Sequence, residues 1–138
     1  MQNYTKLIEK YEKELIRNRR YLHQNPELGF ELDNTVRYVK EELTAIGCEP
    51  IEVGNHGVTA VMGSKKGKCI LLRADMDALP MKEESRLPFA CISDLAAHTC
   101  GHDTHTAMLL TAARIFKEIE DDIPGQIKLL FQPAEEIG

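Results

Sequence analysis

Apolar residues recur at helical spacing in the first part of the chain and predict two amphipathic helices. The first covers about residues 7–22 and ends before Asn25-Pro26, because a proline pushes the preceding residue out of the helical region. The second covers about residues 31–46, and Gly47 is its expected terminator. We interpret both apolar stripes as core-facing.

Shorter apolar runs predict three strands further along the chain. Residues 57–63 and 69–75 give the first two strands, and we interpret Lys65-Lys66-Gly67 as a hairpin turn between them. Residues 69–72 are continuously apolar, which is typical of a strand buried on both faces. The third predicted strand covers residues 126–132.

A long loop and a helix separate the second and third predicted strands. Residues 78–99 have no periodic pattern, and a loop of that length is more often functional than idle. After it, Asp103 or Thr104 is expected to cap a helix that reaches about residue 120. The order strand, loop, helix, strand predicts an α/β fold with a mainly parallel central sheet flanked by helices.

Composition and charge exclude several classes of function. The 138 residues suit one domain, and 43% hydrophobic with 28% charged residues is ordinary for a soluble globular protein. A net charge of -5 without an aromatic-rich basic run argues against nucleic-acid binding. No secretory signal and no membrane-spanning run is apparent, and four cysteines without a disulfide framework suit a reducing cytoplasm.

The densest chemical signal is the stretch His98-Thr99-Cys100-Gly101-His102-Asp103-Thr104-His105. Cys100 and His102 can reach one divalent ion, because Gly101 allows a tight backbone turn between them. Such a pair suits zinc, and added carboxylates would also admit manganese or cobalt. The alternative is a buried structural cysteine beside a helix cap, with histidines that only pack. The motif by itself does not decide between the two.

Two pairs of carboxylates stand at the ends of predicted strands. Asp75 and Asp77 project to the same side if the backbone stays extended, and they would repel unless a cation or an arginine compensates. Glu135 and Glu136 directly follow the last strand. The alternatives are a turn and a cap for the aspartates, and a solvated charged edge for the glutamates.

These clusters are expected to meet in one crevice. Sites in α/β sheets form beyond the carboxyl ends of the strands, where both carboxylate pairs lie. Cys100 and His102 begin the helix between those strands, so metal binding becomes the favoured interpretation. The positive end of that helix is also predicted to help hold Cys100 as a thiolate.

Four motifs then carry a family resemblance, in the family's order and at its spacing. They are His23-Gln24-Asn25-Pro26-Glu27-Leu28-Gly29-Phe30, Arg73-Ala74-Asp75-Met76-Asp77-Ala78-Leu79-Pro80, His98-Thr99-Cys100-Gly101-His102-Asp103 and Gln132-Pro133-Ala134-Glu135-Glu136. From about Ile16 onward the chain resembles the N-terminal part of amidohydrolases that cleave N-acyl amino acids. These include hippurate hydrolase, indole-acetyl-amino-acid hydrolases and N-acetyl-diaminopimelate deacetylase, within the aminoacylase and carboxypeptidase clan of dinuclear metallopeptidases.

The resemblance implies a role for each matched residue. The implied roles are metal ligands for Cys100, His102 and Glu136, the general base for Glu135, and support of the metal site for Asp75 and Asp77. Which aspartate is decisive stays open. A complete site would hold two divalent ions, of zinc, manganese, cobalt or nickel, and act on a small N-acyl amino acid. His23 is expected to pack or cap locally and receives no ligand role.

The same resemblance predicts an incomplete domain. Residues 1–138 would be the N-terminal segment of the metal-binding catalytic domain, without the lid or dimerisation domain and without two further histidine ligands. An exposed apolar sheet edge should then favour self-association or a complementary C-terminal chain, and the isolated chain should have negligible activity. The alternative is a non-catalytic metal-binding or interaction module derived from a truncated hydrolase. A thiol-based hydrolase using Cys100 would leave the carboxylates unexplained.

Overall fold

A four-stranded sheet packs against helices in the computed structural model, which describes residues 4–64 and 66–138. The helices in these residues are α1 (Tyr4–Gln24), α2 (Asp33–Ala45) and α3 (His102–Glu118), with short 3-10 helices at Glu120–Asp122 and Glu135–Ile137. The strands are β1 (Ile51–Val53), β2 (Gly57–Gly63), β3 (Cys69–Asp75) and β4 (Gln126–Gln132). The predicted α/β class is therefore confirmed, and three of the strands have the predicted bounds.

The sheet is mixed in direction, with the order β1-β2-β4-β3. β3 and β4 are parallel and are joined by the crossover helix α3, whereas β2 is antiparallel to both of its neighbours, β1 and β4. The expectation of a mainly parallel sheet is therefore wrong. A tight turn joins β1 to β2, and such a turn can only connect antiparallel strands. β1, with only three residues, was not predicted.

The predicted hairpin between β2 and β3 is also wrong. Lys65 of the supposed turn lies outside the described residues, but β2 and β3 both pair with β4 rather than with each other. β4 lies between them, and its Leu129 and Phe131 are fully buried in the core. β3 is left at the edge, where Ile70 and Leu71 are 61% and 55% exposed instead of buried on both faces.

The core lies between one face of the sheet and the three helices. Its fully or nearly fully buried apolar side chains include Leu22, Leu32, Val39, Leu43, Val58, Met76, Leu110, Leu129 and Phe131. Each such side chain stabilises the fold by about 1.5–3 kcal/mol relative to its exposure. This packing fixes α3 against the end of β3. No helix in the described part of the chain is long and apolar enough to cross a membrane.

Candidate metal centre

Polar side chains converge where β3 and β4 end. Because these strands are parallel, their carboxyl ends meet at one edge, where Asp75 is in register with Gln132. Asp77 follows β3, the 3-10 helix Glu135–Ile137 follows β4, and α3 begins at His102. The structure therefore places the six predicted site residues together at this edge.

Asp77 holds the two halves of the site together. Its Oδ1 accepts the backbone N–H of Glu135 at 3.0 Å, and its Oδ2 accepts that of Glu136 at 3.1 Å. Ala134 makes this possible, since its left-handed backbone conformation, with φ of 56°, turns the chain after β4. The side chain of Asp77 is 0% exposed, so these bonds are shielded from water.

The ring of His102 is fixed by the backbone of Asp77. Its Nδ1 donates to the carbonyl oxygen of Asp77 at 2.8 Å, which leaves the lone pair on Nε2. That Nε2 lies 3.7 Å from Glu135 Oε2 and 3.6 Å from Glu136 Oε1. Both distances are too long for a hydrogen bond, and both suit two ligands of one cation.

The donor atoms of Cys100, His102 and Glu136 fit a divalent ion. They all lie within 4.8 Å of one another. Glu136 Oε1 is buried and accepts no hydrogen bond within the described residues. A buried carboxylate oxygen without a partner is costly, and a cation between it and the imidazole would remove that cost. Thiol, imidazole and carboxylate together suit zinc or cobalt.

The protein groups around Cys100 favour its thiol over its thiolate, because they raise the pKa of the side chain. The neighbouring carboxylate of Glu136 raises the pKa of the Cys100 thiol, with smaller contributions from burial and from Glu135. The prediction that the positive end of α3 helps to hold Cys100 as a thiolate is therefore wrong, since the raised pKa favours the thiol. A thiol-based hydrolase needs a lowered thiol pKa, so that alternative loses its support.

The start of α3 also differs from the prediction. Its N-cap residue is Gly101, with φ of 86°, rather than Asp103 or Thr104. A left-handed backbone at this point is natural for glycine and lets the chain turn sharply between Cys100 and His102. The carboxylate of Asp103 still accepts the backbone N–H of Thr104 at 2.8 Å.

Asp75 has surroundings unlike those of Asp77. Its Oδ1 accepts hydrogen bonds from the Arg73 guanidinium at 2.9 Å and 2.8 Å. The sequence predicted that a cation or an arginine would compensate the charge of the two aspartates, and for Asp75 it is an arginine. Its Oδ2 lies 3.6 Å from Nδ1 of His105, a residue to which sequence reasoning gave no role.

A buried network behind the site was missed by sequence reasoning. His23 does not cap locally, because its Nδ1 lies 2.7 Å from Asp103 and its Nε2 lies 2.9 Å from Glu83. Arg19 donates to the same oxygen of Asp103 at 2.9 Å. Glu83 sits in an aperiodic loop without a motif, so no sequence signal marked it. This network ties α1 to the loop and to the residue that follows His102.

His98 belongs to neither donor group. It is buried, and both of its ring nitrogens are without a hydrogen bond in the part of the chain that the structure describes. Burial lowers the pKa of His98 to about 4, because the charged imidazolium would be poorly solvated there.

The crossover β3–α3–β4, with metal-type donors at the ends of its strands, defines an α/β metal-binding domain. The family model of peptidase family M20/M25/M40 matches residues 71–138. This match confirms the family resemblance seen in the motifs.

Similar proteins extend the match across nearly the whole chain. It is 43% identical over 136 residues to an N-acyl-L-amino acid amidohydrolase of Geobacillus stearothermophilus, over 96% of this chain and 36% of the relative. It is 46% identical over 129 residues to an N-acetyl-L-cysteine deacetylase of Bacillus subtilis strain 168, over 92% of this chain and 31% of the relative. The chain spans about a third of the length of the curated relatives it matches.

A solved structure agrees with this assignment. The crystal structure of a Bacillus subtilis protein, described as a dinuclear metal-binding peptidase of the M20 family, matches this chain with a TM-score of 0.88 and 38% sequence identity. The match covers 94% of this chain and 37% of that chain. The fold is therefore that of the dinuclear M20 metallopeptidases.

Proposed function

We propose that the whole protein is a metal-dependent amidohydrolase that cleaves the amide bond of N-acyl amino acids. Residues 1–138 would supply the N-terminal segment of its metal-binding catalytic domain. The observation that carries this proposal is the convergence of Cys100, His102 and Glu136, with the buried Glu136 Oε1 accepting no hydrogen bond in the described residues. The names of the relatives support the substrate class, a small N-acyl amino acid.

Cys100, His102 and Glu136 would hold a divalent ion in this centre. Zinc, manganese, cobalt or nickel suits the mixed donor set, and a complete site would take two ions. When bound, the metal supplies polarisation of the scissile carbonyl and acidifies the attacking water. Asp77 positions the ligands, because it binds the backbone of Glu136 and fixes the ring of His102.

Glu135 would act as the general base. Its backbone N–H is held by Asp77, while its side chain remains 37% exposed with its carboxylate beside His102. The backbone of Glu135 is therefore fixed, while its carboxylate is accessible to a substrate. It would take a proton from the attacking water and pass it to the nitrogen of the leaving amine.

The open edge of β3 would pair with a further part of a larger catalytic domain. Ile70 and Leu71 expose apolar surface there, and an unpaired strand edge offers free backbone N–H and C=O groups. The occupant we propose is a complementary C-terminal segment of the kind that the longer relatives possess. A second copy of this chain would take its place only when that segment is missing. Four free cysteines favour a cytoplasmic location for the protein.

Cobalt substitution tests the proposed ligands. Titration of the chain with Co²⁺ should produce a thiolate-to-cobalt charge-transfer absorption, because Cys100 would be a ligand. Cys100→Ser should abolish the band, while Cys69→Ser, at an exposed cysteine on β3, should leave it unchanged. A band that survives Cys100→Ser would contradict the ligand set.

The whole protein, loaded with cobalt in the same way, tests the substrate class. A benzoyl-amino acid should shift the visible cobalt bands, since its amide carbonyl would reach the ion. Benzoate plus the free amino acid at equal concentration is the matched control. An equal shift with the separated components would contradict recognition of the N-acyl amide.

A further inference from the structure

We infer that the site contains a second, alternative position for a divalent ion, formed by Asp75, His102 and His105. It would take a hard ion such as Mn²⁺, and it would compete with the Cys100 position for the imidazole of His102. The inference rests on the proposed function only through His102, which is common to both positions.

The distances in this second group suit a cation. The ligand atoms of Asp75, His102 and His105 all lie within 4.8 Å of one another. Asp75 Oδ2 and His105 Nδ1 are 3.6 Å apart, which is too long for a hydrogen bond. Two ligands of one tetrahedral ion, with bonds near 2.1 Å, are separated by about 3.4 Å. The pair is therefore spaced for an ion between its members.

Secondary structure fixes the three side chains in place. His102 and His105 are three residues apart on one face of α3, and their rings stack with centroids 5.3 Å apart. Thr106 donates its hydroxyl to the carbonyl oxygen of Asp75 at 2.9 Å, which holds α3 against the end of β3. Arg73 occupies Oδ1 of Asp75 and leaves Oδ2 facing His105.

The two positions exclude each other because His102 has one available lone pair. Its Nδ1–H is committed to the carbonyl of Asp77, so Nε2 can bind one ion at a time. An ion held with Cys100 and Glu136 therefore takes His102 from the group with Asp75 and His105.

The donor chemistry distinguishes the ions that each position prefers. Two imidazoles and a carboxylate contain no sulfur and suit a harder ion such as Mn²⁺ better than the group with Cys100 does, because a thiolate favours softer ions. The side chain of His105 is 47% exposed and borders a groove of about 350 Å³ that Met108 and Ala112 also line. Water in this groove can complete the coordination that Mn²⁺ requires. The group is thus open to water on the side of Asp75 and His105, which both line the groove.

Manganese titration of the 138-residue chain tests the inference. The electron paramagnetic resonance signal of free Mn²⁺ measures binding directly, without any need for turnover. We expect His105→Ala to weaken Mn²⁺ binding by roughly tenfold or more, and Cys100→Ser to change it by less than about twofold. His56→Ala is the matched histidine control, since His56 lies in the turn before β2 and pairs with Asp33. Urea unfolding of each variant establishes that it is folded.

The outcomes separate this inference from the proposed ligand set. The second position is overturned if His105→Ala leaves the Mn²⁺ affinity unchanged, or if Cys100→Ser lowers that affinity as much as His105→Ala does. The cobalt–thiolate band reports on Cys100 separately, so it can be present when the second position fails. Prior saturation with Co²⁺ should also suppress Mn²⁺ binding, because both ions need His102. Simultaneous binding of both ions at full occupancy overturns the exclusion.

Discussion

At the scale of single residues, the two aspartates of the β3 motif have separate tasks. Sequence reasoning could not decide between Asp75 and Asp77, because both follow the same strand on the same side. The structure distinguishes them by their partners. Asp77 binds the backbone of both glutamates after β4, whereas Asp75 binds Arg73 and faces His105.

Asp77→Ala should damage both stability and soft-metal binding. It leaves two backbone N–H groups without their acceptor, so the free energy of unfolding should fall by roughly 3 kcal/mol. Affinity for Co²⁺ at Cys100 should fall by about 10–100-fold, because the backbone that carries Glu136 loses its support. Urea denaturation and cobalt titration measure the two effects.

Asp75→Ala is the matched control for this experiment. It removes a carboxylate from the same strand end without touching the backbone after β4, so Co²⁺ affinity should stay within about twofold of the wild type. Equal losses of Co²⁺ affinity in the two variants would show that general negative charge, rather than the bonds of Asp77, supports the site.

The residues of the metal centre could be predicted from the sequence for a physical reason. Parallel strands must present their carboxyl ends at one edge, so carboxylates after β3 and β4 meet the start of α3 whatever the loops do. His105 and Glu83 gave no comparable signal. The role of each depends on contacts with chain segments distant in sequence, His105 with Asp75 and Glu83 with His23.

At the scale of elements, Glu83 anchors the long loop between β3 and α3. Its carboxylate is 6% exposed and lies against His23, while it accepts the backbone N–H of Cys91 at 2.6 Å and a bond from Ser85. Burial by itself would raise the pKa of Glu83. The bonds from Ser85, His23 and Cys91 outweigh burial and lower that pKa to about 2.

This lowered pKa predicts acid sensitivity of the fold. The ordinary value is 4.5, so the unfolded chain takes up the proton first as the pH falls. The stabilising contribution of Glu83 is full above about pH 4.5 and is lost as the pH falls towards 2, to a total of about 3 kcal/mol. Glu83→Gln should therefore flatten the pH dependence of unfolding, by about 2 kcal/mol between pH 5 and 3.

Urea unfolding at several pH values measures this effect. The neighbouring Glu84 is exposed, so Glu84→Gln should retain the pH dependence of the wild type. A wild-type slope that persists in Glu83→Gln would mean that other carboxylates are responsible for the acid sensitivity.

Elements were easier to predict than their pairing. The bounds of β2, β3 and β4 follow from local apolar runs between turn residues, and local runs are what a sequence displays. Their order depends on contacts between segments that are distant in sequence, because β2 and β3 each pair with β4, which follows them along the chain.

At the scale of the whole molecule, the centre stands open on one side. Each of the two donor groups among the described residues offers three protein ligands, so a bound ion would keep a position open to water or substrate. The edge of β3 next to the site is unpaired within the described sheet.

The 138-residue chain should consequently show negligible turnover of acetyl- and benzoyl-amino acids, even with saturating Mn²⁺ or Zn²⁺. Glu135 would be placed to accept a proton, but no group among the described residues holds a substrate in line with it on the open side. The measurement is amino-acid release by the purified chain. Turnover typical of an enzyme that Glu135→Ala abolishes would contradict this, and would indicate that self-association completes the site.

The insertion of β4 between β2 and β3 also makes the central strand pairing of the sheet long-range. Val58 on β2 pairs with Phe131, so joining β2 to β4 must close a loop that includes β3, the long loop and α3. The chain loses the entropy of closing this loop before strand pairing can stabilise it. Folding that depends on such distant contacts is slow. On the ribosome, β2 and β3 emerge long before the strand that joins them. Until β4 is synthesised, β2 has only β1 as a native neighbour in the described sheet and β3 has none, so their exposed apolar residues are natural substrates for chaperones.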